Sequence, residues 1–177
     1  MMKITAVQQK FILHWGEMGA RWGVNRTVAQ VHALLFIADR PLNAEDLVEP
    51  LGVARSNIST SIKELQGWGI VHTVPVLGER RDHFATTADV WEMFQIILDE
   101  RKKREIDPTL ALLKECVEEA QSSEEENDHT RQRLAELYDM LNTLGSWYTQ
   151  IRTLPTGAMI KFVKMGSKVW KVLGLTG

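Results

Sequence analysis

The sequence predicts a mainly helical protein with one two-stranded hairpin near its middle, and three observations carry that reading. Apolar residues recur at three-four spacing before residue 66 and again from Leu110 to Ile151. Two short runs break the pattern, IVHTV at 70–74 and HFATT at 83–87, with a Gly and two adjacent Args between them. Asn, Pro and Gly fall where helices would start and stop.

The elements follow in order. Ile4, Val7, Phe11, His14 or Trp15, and Met18 place an amphipathic helix over 4–20, with Gly19 and Gly23 loosening its end. Asn25 caps a second helix from Arg26 to Ala38, whose VHALLFIA run is apolar all round and predicts burial. The segment Asp39-Arg-Pro-Leu-Asn43 breaks it. Asn43 caps a short helix from Ala44 to about Glu49, closed by Pro50 and Gly52. In the next helix Ile58, Ile62 and Leu65 make one apolar stripe, and Gly67 and Gly69 end it. Its other side carries Arg55, Ser56, Asn57, Ser59, Thr60 and Lys63, with no acid before Glu64. Pro75 cannot donate to a ladder and marks the end of the first strand.

From Thr87 onward the chain reads as helix. Asp107-Pro108 resembles an N-cap and first-turn pair, so the helix from Ala88 should stop or kink there. Leu110, Leu113, Val117 and Ala120 continue the helical spacing, and SSEEEND at 122–128 is an acidic connection. Leu134, Leu137, Leu141, Leu144, Tyr148 and Ile151 then form an a/d seam. That seam must bury against Leu110–Ala120 of its own chain or against a partner chain. Leu154-Pro-Thr-Gly157 breaks the helix. The last helix, about Met159 to Leu173, sets Lys161, Lys164, Lys168 and Lys171 on one face. A solvated edge of a dimer helix and a membrane-surface helix would both have this pattern.

Composition bounds the function. The chain has 177 residues, 44% hydrophobic and 25% charged, which is ordinary for a globular protein. No apolar run is long enough to span a membrane, and MMKITAVQQKFILHWGE lacks the apolar core of a signal peptide. One cysteine, Cys116, leaves no internal disulfide and is expected to be a packing thiol. The expectation is a cytoplasmic protein. Net charge is −2, but residues 89–153 hold fifteen acids against eight Lys/Arg, while 154–177 hold four Lys and no acid. Bulk charge therefore does not mark a nucleic-acid binder, and the case rests on where single charges sit. His14, His32, His72, His83 and His129 show no metal-ligand spacing, and no phosphate-loop, dinucleotide or nucleophile-elbow motif occurs. An enzyme, a metal or a cofactor is not expected. The basic run Arg101-Lys-Lys-Arg104, with Asp99, Glu100 and Glu105 beside it, reads as an ordinary helix end.

Helix, short helix, turn, helix and hairpin is the order of a winged helix-turn-helix. The domain falls at 25–88, with an N-terminal dimerisation helix at 1–24 and a helical dimerisation region at 89–177. The helix from Arg55 takes the recognition position, where short hydroxyl side chains let its backbone approach bases and Arg55 and Lys63 reach base or phosphate. Gly78-Glu79-Arg80-Arg81 is the wing tip, whose guanidinium forks suit phosphate or a minor groove. The predicted DNA contacts are thus Arg55, Ser56, Asn57, Ser59, Thr60, Lys63, Arg80 and Arg81.

The motif string resembles the GbsR branch of the MarR-type transcriptional regulators over about residues 14–105. It is carried by Gly23/Arg26/Ala29, Pro41-Leu42/Leu47, Ser56/Ser59/Leu65 and Gly78/Arg80/Arg81/Phe84. The resemblance implies a homodimer that binds palindromic double-stranded DNA, here expected to be a repressor. In some members it implies control of choline or glycine-betaine genes. A small-molecule effector is a further expectation, a quaternary ammonium compound being the candidate. Trp15, Trp22 and Trp91 are the first choices for its pocket, because aromatic faces attract such cations. Two other readings stay open: a winged-helix protein-interaction module without DNA binding, and membrane-surface association through the last helix.

Overall fold

The computed structural model describes residues 4–172, with only the backbone described for Phe162 and for 166–172. Leu173, Lys168 and Lys171 of the expected lysine face therefore lie outside the described side chains; Lys161 and Lys164 are exposed. The chain divides after Ile96 into two compact units.

In the first unit α1 spans Ala6–Arg21, opened by a reciprocal cap between Thr5 and Gln8. Its buried residues are Ile12, Gly16 and Gly19. The expected stripe is only half right, since Val7 is 79% exposed. Gly19 does not loosen the helix end as expected, since α1 runs on to Arg21. A Cβ there would stand 2.6 Å from Ala29 Cβ, and one at Gly16 would stand 2.6 Å from Gln30 Cγ. These two glycines let α1 pack closely on α2, Arg26–Ile37. Asn25 caps α2 as expected, accepting from the Thr27 amide at 2.8 Å.

A two-residue strand β1, Leu42–Asn43, precedes α3, Ala44–Leu51. Asn43 does double service, pairing with His83 in the sheet and capping α3. Its side chain accepts from Asp46 N at 3.1 Å, and the Asp46 carboxylate accepts from Asn43 N at 3.2 Å. Gly52 closes α3 with φ of 61°, a value most side chains avoid. Helix α4, Arg55–Gly67, buries Ile58, Ser61, Ile62 and Leu65. Strands β2, Val71–Val74, and β3, His83–Thr86, complete a sheet ordered β1-β3-β2, all antiparallel. The hairpin is therefore part of a three-stranded sheet, and β1 escapes sequence reading because two residues cannot display alternation. Val31, Leu34, Leu42, Leu47, Ile58, Leu65 and Ile70 form the buried centre of the unit. Helix α5, Val90–Arg101, begins behind Asp89, whose Oδ1 accepts from the amides of Trp91 and Glu92.

In the second unit α6, Asp107–Ser122, and α7, Asp128–Arg152, form an antiparallel hairpin, followed by α8, Thr156–Val172. Of the stop or kink expected at Asp107-Pro108, the structure shows a local distortion and no break. The chain runs from α5 into α6 through a π-helical turn, Lys102–Ile106. Pro108 lacks an amide proton and its ring would strike the carbonyl of Arg104, and the widened turn relieves that without ending the helix. The basic run there is engaged as expected: Arg101 with Glu105 at 2.9 Å, Lys102 with Asp107, Lys103 with Glu100. Arg131 closes the acidic connection, donating to the carbonyls of Ala120 at 2.8 Å and Ser123 at 2.6 Å.

The heptad seam of α7 divides. Leu134, Leu141, Tyr148 and Ile151 are half-buried, whereas Leu137, Met140 and Leu144 are exposed. Near the end of the hairpin Asp99 accepts from Tyr148 Oη at 2.6 Å and from Arg152 Nε at 2.8 Å. Burial, followed by the hydrogen bond to Asp99, raises the Tyr148 pKa. No helix among the described residues is long and apolar enough to cross a membrane.

Candidate nucleic-acid interface

Helix α4 has two faces because its apolar residues repeat at helical spacing. Ile58, Ile62 and Leu65 are all at most 2% exposed and lock α4 onto α2 and α3. Arg55, Ser56, Asn57, Thr60 and Lys63 are thereby turned to solvent, with Ser59 half-buried among them. Ala54 precedes α4 and offers no side-chain cap, so the helix N-terminus stays open to an anion.

The wing is set by its turn. Glu79 N donates to the Val76 carbonyl at 3.1 Å, and Gly78 takes φ of 83°. Arg80, Arg81 and Asp82 lie on the returning arm and are exposed. Gln66 Nε2 donates to Thr73 Oγ1 at 3.1 Å, tying the end of α4 to β2. Buried His83 fixes the base of the arm, its Nδ1 2.9 Å from the Arg81 carbonyl and its Nε2 3.5 Å from Asn43 Nδ2.

These elements enclose one cleft of about 430 Å³. Arg55, Ser59 and Lys63 line it from α4, Arg80 and Arg81 from the wing. Five of the eight sequence-predicted contact residues are thus brought together. Ser56, Asn57 and Thr60 are exposed on α4 but are not among the residues lining the cleft; Thr60 Oγ1 donates to the Ser56 carbonyl at 3.0 Å. Sequence reasoning missed Glu45, Gln66, Thr73 and Asp82, which also line it. Glu45 comes from α3, so no local pattern around α4 announces it.

The cations differ in state. Lys63 and Arg80 have no partner among the described residues. Arg81 Nη2 donates to Glu79 Oε2 at 3.1 Å. That hydrogen bond, then the Glu79 charge, and more weakly those of Glu45 and Asp46, raise the Arg81 pKa further above its ordinary value. Arg55 Nε forms an ion pair with Glu45 Oε1 at 2.8 Å. The arrangement can receive an extended polyanion: a helix presenting short polar side chains, flanked by guanidinium and ammonium groups on a projecting arm.

The three tryptophans stand on α1, at its C-terminal cap and on α5. Trp15 belongs to a closed cycle of four rings with Phe11 at 5.4 Å, His32 at 6.1 Å and, through both, Phe36. Trp22 follows α1 and is half-exposed; Trp91 lies in the first turn of α5. His32 is buried in the ring cycle, its Nε2 without a hydrogen-bond partner, and burial lowers its pKa to about 4.

The MarR family matches residues 22–82, from the end of α1 through α4 to the wing arginines. The chain is similar to the HTH-type transcriptional repressor GbsR of Bacillus subtilis (strain 168), with 21% identity over 154 residues covering 83% of this chain and 85% of that protein. A crystal structure described as a transcriptional regulator shares the fold at TM-score 0.63, with 19% identity over 82% of this chain and 95% of that one. A structure of a mutant S. aureus MepR bound to an oligodeoxyribonucleotide is more distant, at TM-score 0.39 and 17% identity over 78% of this chain and 92% of that one.

Proposed function

Through residues 22–82 this chain belongs to the MarR family as a GbsR-like member, and on that premise we propose that it is a transcriptional regulator that binds double-stranded DNA and represses. The observation that carries the proposal is the shared cleft of α4 and the wing, with Arg55, Ser59, Lys63, Arg80 and Arg81 on its walls. An α-helix fits the major groove, and the arm beside it falls on the neighbouring backbone or minor groove. Arg80 and Lys63, unpaired among the described residues, are ready phosphate ligands. Ser56, Asn57 and Thr60 complete the exposed face of α4 offered to bases.

The working form is a homodimer on a palindromic site. Supporting this, Leu137, Met140 and Leu144 leave an apolar strip on α7 that the α6–α7 hairpin does not cover. Two copies related by a two-fold axis would present two recognition helices about one turn of DNA apart, roughly 34–36 Å. An effector that binds one spacing of those helices better than another would release the DNA. Trp15, Trp22 and Trp91 remain the residues proposed for a quaternary ammonium effector, and a thermal-shift series with choline and glycine betaine tests them.

The experiment is gel retention of the duplex upstream of the protein's own gene. Wild type should retain it and protect an inverted repeat, while Lys63→Ala and Arg80→Ala should weaken retention on any sequence. Absence of retention by the folded wild type at low salt, where phosphate contacts are strongest, would reject DNA binding in favour of a protein-interaction module.

A further inference from the structure

Two carboxylates line the cleft, Asp82 on the wing and Glu45 on α3, and a simple phosphate clamp would be better without the one set against α4. Glu45 projects from α3 into the wall shared by Arg55, Lys63, Arg80 and Arg81. Its charge is felt by Arg81 on the wing as well as by Arg55 on α4. A negative group among four cations repels phosphate and lowers non-specific affinity, so its benefit must lie elsewhere.

The geometry of its ion pair indicates where. Glu45 Oε1 approaches Arg55 at Nε, the inner edge of the guanidinium, at 2.8 Å. The terminal Nη1 and Nη2 of Arg55 have no partner among the described residues, so the end-on fork stays free. The wing pair is the opposite case: Glu79 takes a terminal nitrogen of Arg81, which must be surrendered before that end can bind phosphate. Arg55 also opens α4, the turn that meets base edges in a groove-bound helix. Its side chain is 61% exposed and carries several rotatable bonds, so a free Arg55 would sample many directions. Glu45 itself is anchored: it lies in the first turn of α3, which the Asn43–Asp46 capping box holds.

We infer that Glu45 is a specificity-determining positioning residue, which holds Arg55 by Nε and so presents its Nη1–Nη2 fork to the O6 and N7 atoms of a guanine. The inference rests on the DNA-binding reading and deepens it. It makes Arg55 a base reader, whereas Arg80 and Lys63 serve the backbone. It also assigns the carboxylate a second effect, discrimination against unselected DNA by repulsion.

The test is enrichment of binding sites from a random-sequence duplex pool by the full-length wild type, Glu45→Gln and Arg55→Lys, with thermal midpoints measured for all three. Wild type should enrich a motif with one strongly required G·C pair in each half-site. The roughly 5- to 150-fold preference that a bidentate arginine–guanine contact provides should fall to about 2-fold at those symmetry-related positions in both variants. Other positions should keep their preference. Glu45→Gln should also bind the unselected pool more tightly than wild type, since one repelling charge is gone. An unchanged motif from Glu45→Gln would overturn the inference while leaving DNA binding intact. Loss of preference at all positions together, with a lowered thermal midpoint, would overturn it too by making Glu45 a merely structural residue. Failure of wild type to enrich anything would instead reject the DNA-binding reading itself.

Discussion

Gly19 and His32 show how much a single position constrains the first unit. Because a Cβ at position 19 would meet Ala29 Cβ at 2.6 Å, the helices must separate to admit any side chain. Gly19→Ala is therefore expected to destabilise the protein by about 1–3 kcal/mol, the usual cost of forcing atoms into a packed contact; denaturant unfolding measures it. His32 adds a pH dependence. Its folded-state pKa, about 4, lies below the ordinary 6.5, so the unfolded chain takes up this proton first as pH falls. The His32 contribution is full above about pH 6.5 and is lost progressively down to about pH 4, amounting to roughly 3 kcal/mol. Unfolding curves across that window should fall more steeply for wild type than for His32→Phe, and parallel curves would contradict the ring-cycle burial. Neither effect follows from sequence alone. An i,i+3,i+4 pattern identifies the buried face of a helix, but the closeness of approach between two helices depends on both partners at once.

Among the elements, α4 and the wing were legible and α7 was legible only in part. The Ile58/Ile62/Leu65 stripe sits in the core as its spacing implies, and Gly78 makes the turn its position implies. The a/d seam of α7 identified the apolar residues but not their separate fates. Residues three apart on a helix point about 60° away from each other. The row Leu134, Leu141 and Tyr148 is accordingly half-buried while Leu137 and Leu144 of the neighbouring row are exposed. The expected consequence belongs to that element. Leu144→Glu should convert a homodimer to monomer in sedimentation velocity while leaving helical circular dichroism intact, because Leu144 is 54% exposed within the chain. An unaltered sedimentation coefficient would place the dimer contact elsewhere. The ion pair of Glu45 and Arg55 was beyond reach of pattern reading for a comparable reason. The two residues are ten apart on different helices, and only the turn between α3 and α4 brings them together.

For the whole molecule, net charge is a poor guide and the placement of a few cations a good one. The chain is net negative, yet one cleft gathers three arginines, a lysine and the open start of α4. A winged helix fixes which side of α4 is free once its apolar stripe is known, so element order alone makes this arrangement legible. The second unit is less legible: Pro108 marks an interruption, but its form, a π-helical turn within a longer helix, depends on how the backbone accommodates the ring. The measurement that bears most directly on the cleft is the salt dependence of duplex DNA binding by wild type and by Arg80→Ala/Arg81→Ala. Each phosphate contact adds about 0.9 to the slope of log affinity against log salt, and the double variant removes two arginines from each protomer of the dimer, so it should bind more weakly with a slope shallower by about 3–4. Equal slopes for the two proteins, with both folded, would mean that the wing arginines do not meet the DNA backbone.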